Sequence, residues 1–223
     1  MPLRKIVPAL AIIIGLLGLA LDFYVIVGRL TTVSAANPIA RSYLEALVYY
    51  WTFLTHLSNF GLLLIYLSEL TDWRRLGWFR SPVTRGGFAG LIALVGLFFH
   101  FLLAPTYHFE GAIAVANVLL HYVAPLTYLL WWAAFTEHGR LRFSQIPTML
   151  LPPLLYLAWA MLRGAFAHEY PYAIIDVTQF GYGQVAINAL SVFIGLAILC
   201  GLVVIADKLL ARAPGLRPIR NRT

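Results

Sequence analysis

The chain has little charge and almost no cysteine. Only 11% of its 223 residues are Asp, Glu, Lys or Arg, whereas a soluble domain carries roughly 25%. Cys200 is the one cysteine, which excludes an intrachain disulfide and disfavours a thiolate metal cluster. The sequence also has no zinc-ligand spacing, P-loop or recognition helix. We therefore expect no metal, no cofactor and no nucleic-acid partner.

Apolar segments dominate what is present. Hydrophobic residues make up 61% of the chain, and the mean hydropathy is +0.81. Runs of about 20 apolar residues recur, and each is long enough to cross a ~30 Å hydrocarbon core. We predict an all-α polytopic membrane protein with six transmembrane helices in one bundle. The predicted spans are Ile6–Gly28, Leu47–Leu67, Gly87–Ala104, Ile113–Phe135, Ile146–Leu162 and Val185–Ala206.

The start of the fifth span and the C-terminal end of the domain need separate predictions. Pro147, Pro152 and Pro153 crowd the start of the fifth span, so that helix either begins after Pro153 or bends there. Residues 1–211 are predicted to form the transmembrane domain. Residues 212–223 hold prolines among arginines and are predicted to form a flexible basic tail near anionic headgroups.

The basic residues predict an orientation. With six spans, thirteen of the sixteen Lys and Arg residues fall on the side that holds both termini. The opposite side holds Arg29, Arg41 and Arg163. Cytoplasmic loops carry the excess of positive charge, so we predict that both termini are cytoplasmic in a bacterial inner membrane.

Polar residues inside two spans are the candidates for function. Thr55 and Asn59 share one face of the second span, and Asn117 and His121 share one face of the fourth. Polar groups are expensive in hydrocarbon and therefore mark functional sites. Counted along straight helices, Thr55 and His121 both lie ~12 Å below the outer boundary. A hydroxyl beside an imidazole can be a nucleophile and its base.

Further residues are placed to support such a pair. Asp22 lies near the outer end of the first span, and an outer loop carries Tyr172 and Asp176. Asp176, Asn117 and Asp22 are alternative partners for the second ring nitrogen of the imidazole. An oxyanion can be stabilised by the amides of Asn59 or Asn117, or by a Tyr hydroxyl. We also expect a polar cleft that admits water from the outside.

Three short motifs resemble those of one membrane-protein family. They are Phe53-Leu54-Thr55 with Ser58 and Asn59, Asn117-x-x-x-His121 with Pro125, and Tyr170-Pro171-Tyr172 followed by Asp176. In this order and spacing they resemble the second helix, fourth helix and outer loop of the androgen-induced-gene family. The resemblance covers most of the chain and is that of a bacterial relative, because Ser58 replaces an acidic residue and Val118 a histidine of the animal members.

The resemblance implies a fold and an activity. Members are six-helix membrane proteins, and some hydrolyse fatty-acid esters of hydroxy fatty acids with an intramembrane Thr and His. Thr55 would then be the nucleophile and His121 the base, with a lipid or fatty-acyl ester as substrate and membrane lipids as surroundings. The oligomeric state is left open.

Two other readings compete with hydrolysis. A lipid-binding or transport protein without chemistry would keep its function in a Thr55→Ala variant. A haem-binding electron carrier would need paired axial histidines on facing helices, and His56 with His121 is the one pair that the sequence offers.

Overall fold

The protein is all-helical in a computed structural model that describes residues 3–35 and 37–212, and these residues form no strand. Among the described residues, five helices are long and apolar enough to cross a membrane, and the number is six if a bent pair of helices is counted as one span. The α-helices are α1 (Leu3–Thr31), α2 (Tyr43–Tyr50), α3 (Leu54–Leu70), α4 (Pro82–Phe98), α5 (Gly111–Val118), α6 (Ala124–Phe135), α7 (Ile146–Ala167) and α8 (Val177–Leu210).

The second span is broken, so the prediction of one straight helix from Leu47 to Leu67 is wrong. Helices α2 and α3 meet at an angle of 74°, with residues 51–53 between them. Two hydroxyls from elsewhere in the chain satisfy backbone groups at the break. Tyr172 Oη accepts from Leu54 N, and Tyr156 Oη donates to the Thr52 carbonyl. Such replacement partners let a helix break at membrane depth.

Two π-helical turns widen neighbouring helices at the same end of the bundle. Residues Phe99–Leu103 extend α4 in this form, and residues Leu119–Val123 join α5 to α6. A π turn contains one residue more than an α-helical turn, and such turns are frequently found at functional sites. The second π turn contains His121, so its side-chain direction differs from that expected for a straight α-helix.

The last two long helices differ from the expected bounds. Helix α7 runs from Ile146 to Ala167 with Pro152 and Pro153 inside it, so it does not begin after Pro153. Helix α8 starts earlier than expected, at Val177, and departs from helical geometry at Gly181, where φ is 72°. The predicted tail lies outside the described residues from position 213 onward.

The end of the bundle remote from Thr55 is closed by buried polar contacts between regular helices. We call it the opposite end; it holds Glu69, Arg85, His138 and Asp207. The Glu69 carboxylate accepts from Arg85 at 2.9 Å, and Asp207 Oδ2 accepts from the Leu141 backbone N–H at 2.9 Å. Closer to the middle, Cys200 is fully buried, as expected for a small structural residue.

Candidate active site

The predicted contact between Thr55 and His121 is confirmed. Thr55 Oγ1 lies 3.3 Å from His121 Nε2. Thr55 stands in the first turn of α3, directly after the break, and not in the middle of a long helix. The depth count along a straight second span is therefore wrong, and the contact arises because the break presents the start of α3 to the π turn that holds His121.

The second ring nitrogen of His121 fixes which tautomer forms the contact. Nδ1 lies 3.1 Å from the Asn117 carbonyl oxygen. A carbonyl can only accept, so Nδ1 carries the proton and Nε2 is the acceptor in the neutral ring. The ring stacks on Phe99, with centroids 3.9 Å apart. The imidazole is thus held in the tautomer that takes a proton from the Thr55 hydroxyl.

Neither candidate carboxylate orients His121. Asp176 is the N-cap of α8, where Oδ1 accepts from the Thr178 backbone N–H at 2.9 Å. Asp22 Oδ2 lies 2.8 Å from His56 Nε2, within ion-pair distance but not aligned for a hydrogen bond. Of the three alternatives, Asn117 supplies the partner, through its backbone carbonyl and not its side chain.

The two candidate amides are already engaged. Asn117 Nδ2 donates to the Ile113 carbonyl at 2.9 Å. Asn59 Nδ2 donates to the carbonyls of Thr55 and Leu120, at 2.8 and 3.2 Å. Asn59 therefore joins the start of α3 to the π turn beside His121. Both amides support the geometry of the pair: Asn59 uses both of its N–H donors in these contacts, and Asn117 uses one of its two.

Tyr172 is the supporting residue that faces the nucleophile. Its hydroxyl accepts from Leu54 N at 3.1 Å and lies beside the Thr55 side chain. Burial raises the pKa of the Tyr172 phenol, so the group keeps its proton and can donate it. The first backbone N–H groups of α3 have no acceptor within the helix, and that of Leu54 donates to the Tyr172 oxygen. Together these donors form an electropositive corner beside Thr55.

A cavity of ≈ 90 Å³ opens directly on the Thr55 hydroxyl and His121. Apart from Thr55, His121, Tyr156 and Tyr172, its walls are aliphatic and aromatic side chains of α3, α4, α7, α8 and adjoining turns. The expectation of a polar cleft is wrong, because the polar groups here are turned toward one another and toward the backbone. Apolar cavities tend to stay dry, so the space suits a hydrocarbon chain better than a column of water.

His56, considered above as a haem ligand, is a buried neighbour of the site. Its Nδ1 contacts the Tyr50 carbonyl across the break at 2.5 Å, and its ring stacks on the Tyr50 ring at 3.8 Å. With Nε2 against Asp22, the residue ties α1, α2 and α3 together. Both nitrogens are occupied, so the pairing of His56 with His121 as haem ligands does not fit this arrangement.

Comparisons of the chain with family models, with curated proteins and with solved structures gave no match.

Proposed function

We propose that this protein is an intramembrane lipid-ester hydrolase with Thr55 as nucleophile and His121 as general base. One observation carries the proposal: the Thr55 hydroxyl faces Nε2 of an imidazole whose Nδ1 is bound to a carbonyl. A hydroxyl needs a base within hydrogen-bond reach to become a nucleophile. The 3.3 Å separation is the loose distance usual before substrate binds.

The reaction follows from this arrangement. His121 Nε2 takes the Thr55 proton while Oγ1 bonds to the ester carbonyl carbon, and the carbonyl oxygen becomes an oxyanion. The carbon–oxygen bond to the alcohol then breaks, and His121 returns the proton to the departing oxygen. Water next attacks the acyl–Thr55 ester with His121 again as base. The carboxylic acid leaves, and the Thr55 hydroxyl is restored.

Stabilisation of the oxyanion is assigned to Tyr172 and the start of α3. The Tyr172 hydroxyl lies beside Thr55, and the first N–H groups of α3 have no acceptor within the helix. Fixed donors of this kind need no reorganisation when charge develops, and each contributes a factor of ~100 or more to the rate. The Asn59 and Asn117 amides keep a supporting role.

The cavity indicates the substrate class. No Asp, Glu, Lys or Arg side chain lines it, and the His121 ring is uncharged in the tautomer described above. A fatty-acyl chain fits such a wall, and the resemblance to the androgen-induced-gene family makes fatty-acid esters of hydroxy fatty acids the first candidates. We further propose, from the distribution of basic residues, that both termini are cytoplasmic in a bacterial inner membrane and that the site opens in the outer half of that membrane.

The apolar cavity also fits a lipid-binding protein that carries out no reaction. The two functions differ in what they require of Thr55. Binding needs only the shape of the cavity, whereas hydrolysis needs the hydroxyl and a base.

The test is hydrolysis of a panel of lipid esters by the purified parent and its Thr55→Ala and His121→Ala variants. We expect both variants to lose at least ~100-fold in rate. Thr52→Ala is the matched control, because the Thr52 hydroxyl is buried three residues away but donates to the Val48 carbonyl. It should hydrolyse at the rate of the parent per folded molecule.

A fluorophosphonate probe gives a second readout. Intact-protein mass spectrometry should show one adduct on the parent and on Thr52→Ala, and none on Thr55→Ala. Lipid retention by the parent together with equal, background-level hydrolysis in all variants would instead identify a binding protein.

A further inference from the structure

A second cavity continues the one at the site along the groove between α4 and α7. The first, of ≈ 90 Å³, contains Thr55 and extends to Pro153; the second, of ≈ 300 Å³, begins at Pro153 and extends toward the opposite end. Pro153 lines both. The two spaces therefore adjoin at Pro153.

The helices that form the groove run in the same direction. Val95 of α4 and Tyr156 of α7 line the first cavity, while Gly87 and Thr148 line the second. From Tyr156 to Thr148 the axis of α7 advances ~12 Å, which is the length of an extended acyl chain of roughly ten carbons. Glycine keeps the helices close here, since a Cβ on Gly87 would lie 3.2 Å from Met149 Cβ.

The walls of the groove have the chemistry of a hydrocarbon site with a polar end. Neither cavity is lined by a Lys, Arg, Asp or Glu side chain. Leu91, Leu151 and Pro152 continue the apolar wall beyond Pro153. Uncharged polar groups then close the groove, among them Ser81 and Gln145. An apolar wall that ends in uncharged polar groups fits a long acyl chain whose far end reaches those groups.

We propose that the groove between α4 and α7 holds the acyl chain of the substrate and selects its length. The inference rests on the proposed function, because that reaction requires the ester carbonyl carbon at Thr55, which lines the first cavity. It adds that the chain passes Pro153 and ends near Thr148 and Gln145, so that the enzyme acts on long, uncharged acyl groups.

Shape, and not hydrophobic gain, sets the length preference. Lipid tails are as apolar as Leu side chains, so a chain that leaves the bilayer for the groove gains little from burial. A filled groove instead fixes the ester in register with Thr55, and an obstacle excludes only chains long enough to reach it. Short and long esters should therefore respond differently to the same substitution.

The first experiment locates the chain without requiring catalysis. Thr55→Ala protein in phosphatidylcholine vesicles is incubated with a hexadecanoyl ester that carries a diazirine near the chain end, and is then irradiated. We expect peptides spanning residues 81–91 and 145–153 to carry the label. Labelling confined to lipid-facing positions of α7 and α8 would overturn the proposal. Labelling of the groove in a protein whose parent hydrolyses no ester would reject the proposed function and keep the site.

The second experiment measures length selection with a matched pair on α7. Leu151 and Leu155 are both exposed to lipid, at 50% and 62%, but only Leu151 lines the groove. In Leu151→Trp, kcat/KM for a hexadecanoyl ester should fall roughly tenfold, the size of an overpacking effect, while a hexanoyl ester is hydrolysed as by the parent. Leu155→Trp should change neither.

Thr148→Trp repeats the test from the far end of the groove, and size-exclusion chromatography verifies folding of each variant. An equal loss for both chain lengths in the two groove variants would contradict length selection. So would an equal response of Leu151→Trp and Leu155→Trp.

Discussion

Two buried histidines lie at opposite ends of the bundle and differ in how their nitrogens are used. At the opposite end, His138 Nδ1 lies 3.2 Å from Asp207 Oδ1 and Nε2 lies 3.0 Å from the Ala133 carbonyl. At the site, His121 has one nitrogen on a carbonyl and the other on the Thr55 hydroxyl. The first ring is fixed at both nitrogens by acceptors. In the His121 ring, Nε2 is an acceptor and faces the Thr55 hydroxyl, which can donate its proton.

The two ends of the bundle also differ in how regular their backbone is. At the opposite end, regular helices are joined by buried ion pairs such as Arg85 with Glu69. At the site, one helix breaks by 74° and two others contain π turns. Irregular backbone is costly in a membrane unless other groups satisfy it. The irregular backbone is concentrated around Thr55 and His121. This is the arrangement that the proposed active site requires, and it does not stabilise the fold.

The strongest test of the comparison replaces each histidine by glutamine. His121→Gln should lower hydrolysis by about 1,000-fold, because a general base is removed, with little change in thermal stability. His138→Gln should lower the melting temperature and leave the rate per folded molecule unchanged. Ester hydrolysis and thermal unfolding in one detergent provide both readouts, and an equal loss of activity in the two variants would remove the distinction.

Next in size is the effect of Tyr172. In Tyr172→Phe we expect kcat to fall about 100-fold, because a donor to the oxyanion is lost. Tyr156→Phe is the control, since that hydroxyl donates to the Thr52 carbonyl at 3.0 Å; it should cost about 1 kcal/mol of stability and little activity. A Tyr172→Phe variant with the rate of the parent would assign oxyanion stabilisation to the start of α3 alone.

The opposite end offers a stability test without chemistry. Asp207→Asn replaces the buried carboxylate that lies against His138 and accepts from the Leu141 N–H by a neutral amide, and so removes the charge from two buried contacts. We expect a loss of about 2 kcal/mol in the free energy of unfolding, measured by thermal or denaturant unfolding in detergent. Hydrolysis per folded molecule should be unchanged, and a large loss of rate would show that the two ends are coupled.

The smallest expected effect concerns an ion pair at the rim of the site. Burial raises the pKa of Glu169. The guanidinium groups of Arg41 and Arg163, which lie 2.6 and 2.8 Å from its carboxylate, lower the pKa by more than burial raises it. The net pKa is therefore below the usual 4.5. Its contribution is therefore complete above pH 4.5 and is lost as the pH falls through the lowered value.

Glu169→Gln should cost about 1 kcal/mol at neutral pH and remove this part of the acid dependence. Unfolding curves of the parent and Glu169→Gln at pH 7 and at pH 3 test it. Parallel acid destabilisation of both proteins would assign the pH dependence to other carboxylates.

The sequence alone predicted the parts of this molecule that depend on composition and on spacing along a helix. Long apolar runs require helices wherever backbone groups have no water to bind, and five of the six predicted spans are single long helices. The Asn117–His121 spacing placed both residues on one helix. Thr55 and His121 were singled out because polar side chains are costly in hydrocarbon, and their pairing was a hypothesis from depth and from the family resemblance.

Tertiary structure decided how the pair is held. The aromatic run from Tyr49 to Phe53 favours helix weakly, but the chain breaks there because hydroxyls of Tyr156 and Tyr172, more than 100 residues away in sequence, replace the lost backbone partners. The tautomer of His121 likewise depends on the backbone carbonyl of Asn117 in α5, and side-chain patterns in a sequence do not predict a contact with a carbonyl. The sequence determines which polar groups must avoid lipid. Only the packing of the helices determines which of these groups form hydrogen bonds with one another.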